Sequence, residues 1–146
     1  KIFSFPYIHL ILLHMSYNHI ILLLGSNSGD REFQLETAQF FLQKEVGEIK
    51  KKSKILETDP VGFSSPNKFL NQTIYLETSH SPISLLKIVK NIEKKMGRVY
   101  LPTTQKYQDR IIDIDILKFN EISFRSANLT IPHHQIFTRS FIKDLI

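Results

Sequence analysis

Two aspartates in alternation, Asp113 and Asp115, stand in the stretch Arg110-Ile111-Ile112-Asp113-Ile114-Asp115-Ile116. In an extended chain, residues two apart point the same way at a spacing of about 7 Å. Both carboxylates then share one face, and Ile112, Ile114 and Ile116 take the other. Like charges so placed repel unless protons or cations intervene, and paired hard oxygens suit Mg²⁺ held jointly with substrate phosphates. A bare D-x-D is also what the wet face of an ordinary strand carries. Arg110 directly before the strand, Arg98 after Gly97, and Arg139 close to Phe141 bear on that choice. Phosphoryl transfer asks a protein for positioning and for neutralisation of oxygens, which guanidinium groups and Mg²⁺ supply. Each arginine alone is more often a surface residue than a phosphate ligand; around a D-x-D they describe a phosphate-handling centre.

The elements that must position these groups follow from the periodicity. Residues 19–24 form a short buried strand ending at Gly25, and the turn 25–30 leads to Asp30 as a helix N-cap. Leu35, Ala38, Phe41, Leu42 and Val46 lie on one helical face up to Gly47. Residues 49–58 carry four lysines and read as an edge strand protected from association by charge. A breaker-rich loop over 59–67 precedes a strand over 69–78. Ser81-Pro82 caps a second helix with Leu85, Ile88, Val89, Ile92 and Met96 on its buried stripe, and Gly97 ends it. A polar loop of about a dozen residues leads to the strand over 110–119, which Asn120-Glu121 turns into a short return over 122–124. The order βαββαβ predicts an α+β, ferredoxin-like sandwich with a mainly antiparallel sheet and its helices on one face.

The chain has 146 residues, 42% of them hydrophobic and 23% charged, which suits one packed domain. Its lack of cysteine excludes disulfides, thiolate zinc sites and a catalytic thiol, and is compatible with a reducing compartment such as the cytoplasm. A net charge of +5 fits a polyanionic ligand: nucleic acid, an anionic membrane or a nucleotide. The apolar clusters at 8–13 and 20–24 are separated by His14, Ser16, Tyr17, Asn18 and His19, so neither reaches the roughly 20 apolar residues of a membrane span. With Met15 just ahead of the first strand, residues 1–14 are expected to be an extension and residues 15–146 the domain.

From about Asn18 to the end, the chain resembles the 6-hydroxymethyl-7,8-dihydropterin pyrophosphokinase family of folate biosynthesis. The likeness is carried by Gly25-Ser26-Asn27, Thr58-Asp59-Pro60-Val61-Gly62, Phe69-Leu70-Asn71, Glu93 with Gly97-Arg98, Arg110-x-x-Asp113-x-Asp115, Ile131-Pro132-His133 and Arg139-Ser140-Phe141. Seven short motifs in order, at suitable spacing, are hard to obtain by chance. The resemblance implies that the pterin alcohol attacks the β-phosphorus of ATP and releases AMP. Asp113 and Asp115 are then expected to hold two Mg²⁺ ions, with Asp115 orienting or deprotonating the hydroxyl, and Arg98 and Arg110 steadying the transferring group. Leu86, Glu93, Arg98, Arg110, Ile116, Thr130, His133 and Arg139 match positions that receive ATP. Thr58, Asp59, Pro60, Val61, Phe69, Asn71 and Phe141 match the pterin site, where Phe69 and Phe141 would sandwich the ring and Asn71 would offer both a donor and an acceptor.

The departures gather in one loop. Gln108-Asp109 stands where the family often has Gly-Pro, Tyr100 where a third arginine is common, and Tyr107 where tryptophan is frequent. The chain also ends somewhat before the family usually does, so the resemblance implies a truncated C-terminal piece. The loops 59–68 and 97–109 are expected to close over bound nucleotide, since both are polar and flank the acidic strand. No nucleic-acid or membrane partner is expected, and a monomer is favoured over an oligomer. A ferredoxin-like RNA-binding module would share the topology and charge but would carry aromatic RNP motifs, which are absent. A regulatory ligand-binding domain would share the fold but leaves the D-x-D and its arginines unexplained.

Overall fold

The structure, a computed structural model, describes residues 17–100 and 108–146. The expected extension at 1–14 and Tyr107 lie outside the described residues, as does most of the 97–109 loop. Strand β1 (Asn18–Ser26) is followed by helix α1 (Arg31–Glu45), β2 (Gly47–Lys52), β3 (Leu56–Thr58), β4 (Phe69–Thr78) and helix α2 (Pro82–Lys95). Then come β5 (Asp113–Phe119), the small strands β6 (Phe124–Arg125) and β7 (Thr130–Ile131), and the short helices α3 (Gln135–Thr138) and α4 (Ser140–Lys143). The main sheet runs β2-β4-β1-β5, with β3 also on β4, and its strand pairs are antiparallel. This is the ferredoxin-like order that the βαββαβ pattern predicts.

The caps are those the sequence marks. Phe33 N–H donates to the Asp30 carboxylate at 3.1 Å, and Ser84 N–H to Ser81 Oγ at 3.2 Å. Pro82 costs nothing at the first turn, where its missing donor would have had no helical partner. Gly47 differs from expectation: it opens β2, where a Cβ would lie 1.9 Å from the Glu77 carbonyl oxygen. Close approach of two strands, and not the end of α1, requires this glycine. The expected single strand over 49–58 is also two, because Ser53 leaves the ladder and bonds Thr73 from both its backbone and its side chain.

Ile20, Leu22 and Leu24 of β1, Ile74 and Leu76 of β4, and Ile114 and Ile116 of β5 meet Leu35, Ala38, Leu42, Leu85, Val89 and Ile92 of the two long helices. Each such leucine or isoleucine contributes about 1.5–3 kcal/mol by leaving water. On the opposite face a smaller cluster joins Leu23 and Leu117 to Ile142 and Leu145. Alternation puts Leu117 on this face with Asp113 and Asp115, and Leu117 is also the extra residue of a bulge: Ile21 pairs with Lys118 but Leu22 with Ile116. The bulge leaves Leu117 on that face and returns Phe119, opposite Ile20, to the helix-side core, and α3 and α4 cover Leu117. These two helices have no counterpart in the sequence prediction, being too short for a periodic signal.

Candidate active site

At the end of the sheet where β5 begins, Gly25 of β1 lies between Asp113 of β5 and Asn71 of β4 in one cross-strand row. One row deeper, Leu23 pairs with Asp115 and with Thr73. Because Gly25 has no side chain, the row has a gap, and a Cβ there would sit 3.5 Å from both Asn71 Oδ1 and Phe69. The gap is the floor of a cleft whose one wall is acidic and basic, formed by Asp113, Asp115, Arg110 and Arg139. The other wall is formed by Val61, Phe63, Phe69 and Asn71. The two carboxylates thus share a face, and Ile112, Ile114 and Ile116 are buried on the other, as alternation requires.

Asp113 is held by arginine. Arg98 donates to its Oδ1 at 2.6 Å, and Arg110 approaches Oδ2 at 3.3 Å. Arg98 is itself fixed by Glu93, a fully buried acid on α2 that accepts from it at 2.8 Å. Glu93 also accepts the Tyr100 hydroxyl and, at 2.8 Å, the outward N–H of Ile114, which has no strand beyond it because β5 is a sheet edge. Burial works against the Arg98 charge, but Asp113 and Glu93 outweigh it and raise the guanidinium above its usual pKa. Burial and the bond to Glu93 likewise raise the Tyr100 hydroxyl.

Asp115 has a different environment. Its Oδ2 accepts from the Gln135 side-chain amide at 2.9 Å, and no ion pair among the described residues reaches it. Burial first, and then the charge of Asp113, push its carboxyl up to about 7. The carbonyl end of Gln135 accepts from Arg139 at 2.7 Å. Arg139 lies 4.5 Å above the Phe141 ring, and its buried Nε has no hydrogen-bond partner among the described residues. Burial lowers the Arg139 pKa, against the pull of Asp115 and Asp113. Gln135 is placed by the bulge, since His133 N–H donates to the Leu117 carbonyl at 3.0 Å and thereby sets the start of α3.

The remaining predicted residues divide by location. Thr58 accepts from the Asn71 amide at 2.7 Å, which orients that amide at the cleft. Asp59 is exposed beside Lys68, and Pro60 is half-buried just before Val61. Phe141 packs on the smaller cluster and is not among the cleft's lining residues. Leu86 and Ile116 belong to the helix-side core, so their side chains point away from the cleft. Thr130 is exposed on β7; His133 is stacked on His134, and burial, followed by that neighbour, lowers its pKa.

Sequence reasoning missed Gln135 and Phe63, and it named Asn27 and Asp109 without giving either a role. Phe63 has a signal in hindsight: it is the one aromatic in an otherwise polar, breaker-rich loop. It stands edge-on to Phe69 at 6.2 Å, with the Arg110 guanidinium 5.9 Å from its ring. Asn27 accepts the Arg110 N–H at 2.6 Å and donates its own backbone N–H to the Arg110 carbonyl at 3.1 Å. Gln135 has no such signal, because its role depends on a bulge that the pattern does not reveal.

A family model of 7,8-dihydro-6-hydroxymethylpterin-pyrophosphokinase (HPPK) matches residues 21–145. The chain belongs to this family. It is 39% identical over 125 residues to the 2-amino-4-hydroxy-6-hydroxymethyldihydropteridine pyrophosphokinase of Porphyromonas gingivalis, with 85% of each chain covered. To the Bacillus subtilis protein of the same name it is 37% identical, with 82% of this chain and 70% of that one covered. Among solved structures, the wild-type HPPK-DHPS of Plasmodium falciparum superposes with a TM-score of 0.58 at 21% identity, over 74% of this HPPK chain and 29% of that longer one. That likeness bears on the fold. The HPPK family implies ATP as co-substrate. No helix among the described residues is long and apolar enough to cross a membrane.

Proposed function

We propose that Asp113 and Asp115 form the metal-holding centre for transfer of the terminal diphosphate of ATP to 6-hydroxymethyl-7,8-dihydropterin. The chain catalyses the pyrophosphoryl transfer of its family, a step of folate biosynthesis, giving the pterin diphosphate and AMP. The observation that carries the site assignment is the cleft itself. Two carboxylates, Arg110 and Arg139 face an aromatic and amide wall across the gap left by Gly25.

Among the described residues no cluster of three or more His, Asp or Glu side chains makes a complete ion cage. Two hard carboxylates on one strand face fit Mg²⁺ that completes its shell with phosphate oxygens and water. Two Mg²⁺ ions bound by Asp113 and Asp115 would supply charge neutralisation at the phosphates. Arg98 and Arg110 neutralise Asp113 in the free protein and are available to phosphate oxygens when a nucleotide is present. In the transfer, the pterin hydroxyl oxygen bonds to the β-phosphorus, the bond from that phosphorus to the oxygen of AMP breaks, and the hydroxyl proton is lost. Asp115, lacking a guanidinium partner of its own, is the group that orients or accepts from that hydroxyl. Glu93 acts through Arg98 and is a positioning residue. Arg139 and His133 lie on the nucleotide side with Thr130, and Ile116 and Leu86 contribute there through backbone or packing. Phe69 gives the pterin a stacking face, Asn71 and Thr58 pair with its edge, and Asp59, Pro60 and Val61 wall it; Phe141 backs Arg139.

Residues 15–146 form this domain, a reading supported by the family match over 21–145. Every group invoked comes from one chain, so a monomer suffices, and a cytoplasmic location fits the need for ATP. Incubation with MgATP and hydroxymethyldihydropterin should yield AMP; a folded sample that makes none above the ATP-only control would overturn the proposal.

A further inference from the structure

Asp109 stands outside the acidic strand and touches none of the groups assigned above, yet its carboxylate receives three side-chain donors. Ser65 Oγ donates to Oδ1 at 2.7 Å, Asn27 Nδ2 to the same oxygen at 2.8 Å, and Asn67 Nδ2 to Oδ2 at 2.5 Å. None of these donors is a cation, so the arrangement is no surface ion pair. The donors come from two separate segments, the β1–α1 turn and the 59–68 loop, and Asp109 itself belongs to a third, the approach to β5.

The loop needs such an anchor. It has no regular structure between β3 and β4, and Gly62 within it has φ of 86°, a conformation that favours glycine. It nevertheless carries Val61 and Phe63 into the cleft wall. Besides Asp109, its C-terminal end is held where Asn27 Nδ2 donates to the Asn67 carbonyl at 3.2 Å and Arg31 to the Lys68 carbonyl at 2.8 Å. Asn27 fixes Arg110 as well, by the two bonds already described. One turn residue and one carboxylate therefore connect the loop to the strand that carries Asp113.

We propose that Asp109 is a positioning residue for the pterin: its carboxylate clasps the 59–68 loop to the β5 approach, so that the aromatic wall is assembled in the free protein. This rests on the assignment of that wall to the pterin. A charged acceptor shared by three donors holds more firmly than a neutral one. The second acceptor oxygen is replaceable, because Asn67 can reverse its side-chain amide and accept from an asparagine at 109.

The test is steady-state kinetics of Asp109→Ala, Asn67→Ala and Asp109→Asn, with hydrogen exchange of the 59–68 amides in the ligand-free proteins. Asp109→Ala should raise the KM for hydroxymethyldihydropterin about tenfold or more, the scale of removing an outer orienting partner. Its KM for MgATP should stay within about twofold, and the 59–68 amides should exchange faster. Asn67→Ala should act in the same direction, and the double variant should be less than additive because both remove one clasp. Asp109→Asn should retain the pterin KM within about threefold, the scale of weakening one hydrogen bond. An unchanged pterin KM in Asp109→Ala, equal rises for both substrates, or unchanged exchange in the loop would each overturn the clasp. If the parent protein makes no AMP, the reading of the site fails, and the exchange measurement alone then decides whether the clasp exists.

Discussion

The two faces of the sheet are built on different terms. On the helix side, Ile20, Leu22 and Leu24 of β1 and Ile114, Ile116 and Phe119 of β5 are apolar and packed in one cluster, so loss of one weakens the whole without redirecting any single group. On the cleft side, position depends on chains of directed contacts: Glu93 to Arg98 to Asp113, which Arg110 also reaches, and Leu117 to His133 to Gln135 to Asp115 and Arg139. The first face holds the fold through area. The second holds atoms in place through direction, and one missing link there misplaces a charge.

Substitutions should separate the two. Leu22→Ala on the helix face should cost about 2–5 kcal/mol of stability, as buried leucines do, yet leave turnover per folded molecule nearly unchanged; denaturant melts with activity normalised to folded protein would check this. Asp115→Ala should reverse the pattern, with turnover down at least about a hundredfold, the scale of losing one preorganised charge-stabilising group, and little change in melting. Near-normal turnover there would end the role given to Asp115. Gln135→Ala should fall between, lowering turnover about tenfold by freeing both Asp115 and Arg139. A loss confined to melting temperature would make Gln135 a packing residue only.

The smallest effect expected is one of pH on the clasp. Donation from Ser65, then Asn67 and Asn27, holds the Asp109 carboxyl below its usual value of 3.8. A group whose folded pKa is depressed contributes fully above its unfolded value and loses that contribution as pH falls through the folded one. Exchange in the 59–68 loop, corrected for intrinsic rates, should therefore be flat from pH 8 to about 5 and rise only below the ordinary carboxylate range. A rise between pH 5 and 7 would point to a different anchor.

The same contrast explains what the sequence could disclose. The helix face is periodic, and Leu35, Ala38, Leu42, Leu85, Val89 and Ile92 announce it by spacing alone. Alternation likewise placed Asp113 and Asp115 together, since a strand allows no other arrangement. The cleft's supporting residues are not periodic. Gln135 depends on one inserted residue in β5, Asn27 on a turn that brings it beside Arg110, and Asp109 on a loop some 40 positions away. Gly47 shows the complementary failure, because a glycine at the end of a helical pattern reads as a helix stop when the cause is a neighbouring strand. Such contacts join residues distant in the chain, and local pattern contains no trace of them.

Gly25 has a consequence for inhibition. At Gly25 the bottom of the cleft is backbone, with Leu23 one row deeper, and a compound resting over Gly25 meets atoms common to all amino acids. Any replacement at that position would place a side chain in the cleft, 3.5 Å from Asn71 and Phe69, acting as a tethered competitor of a compound bound there. Resistance to such a compound would then arise at lining side chains such as Leu23, Val61 and Phe63, so chemistry directed at the Gly25 backbone leaves the fewest routes of escape.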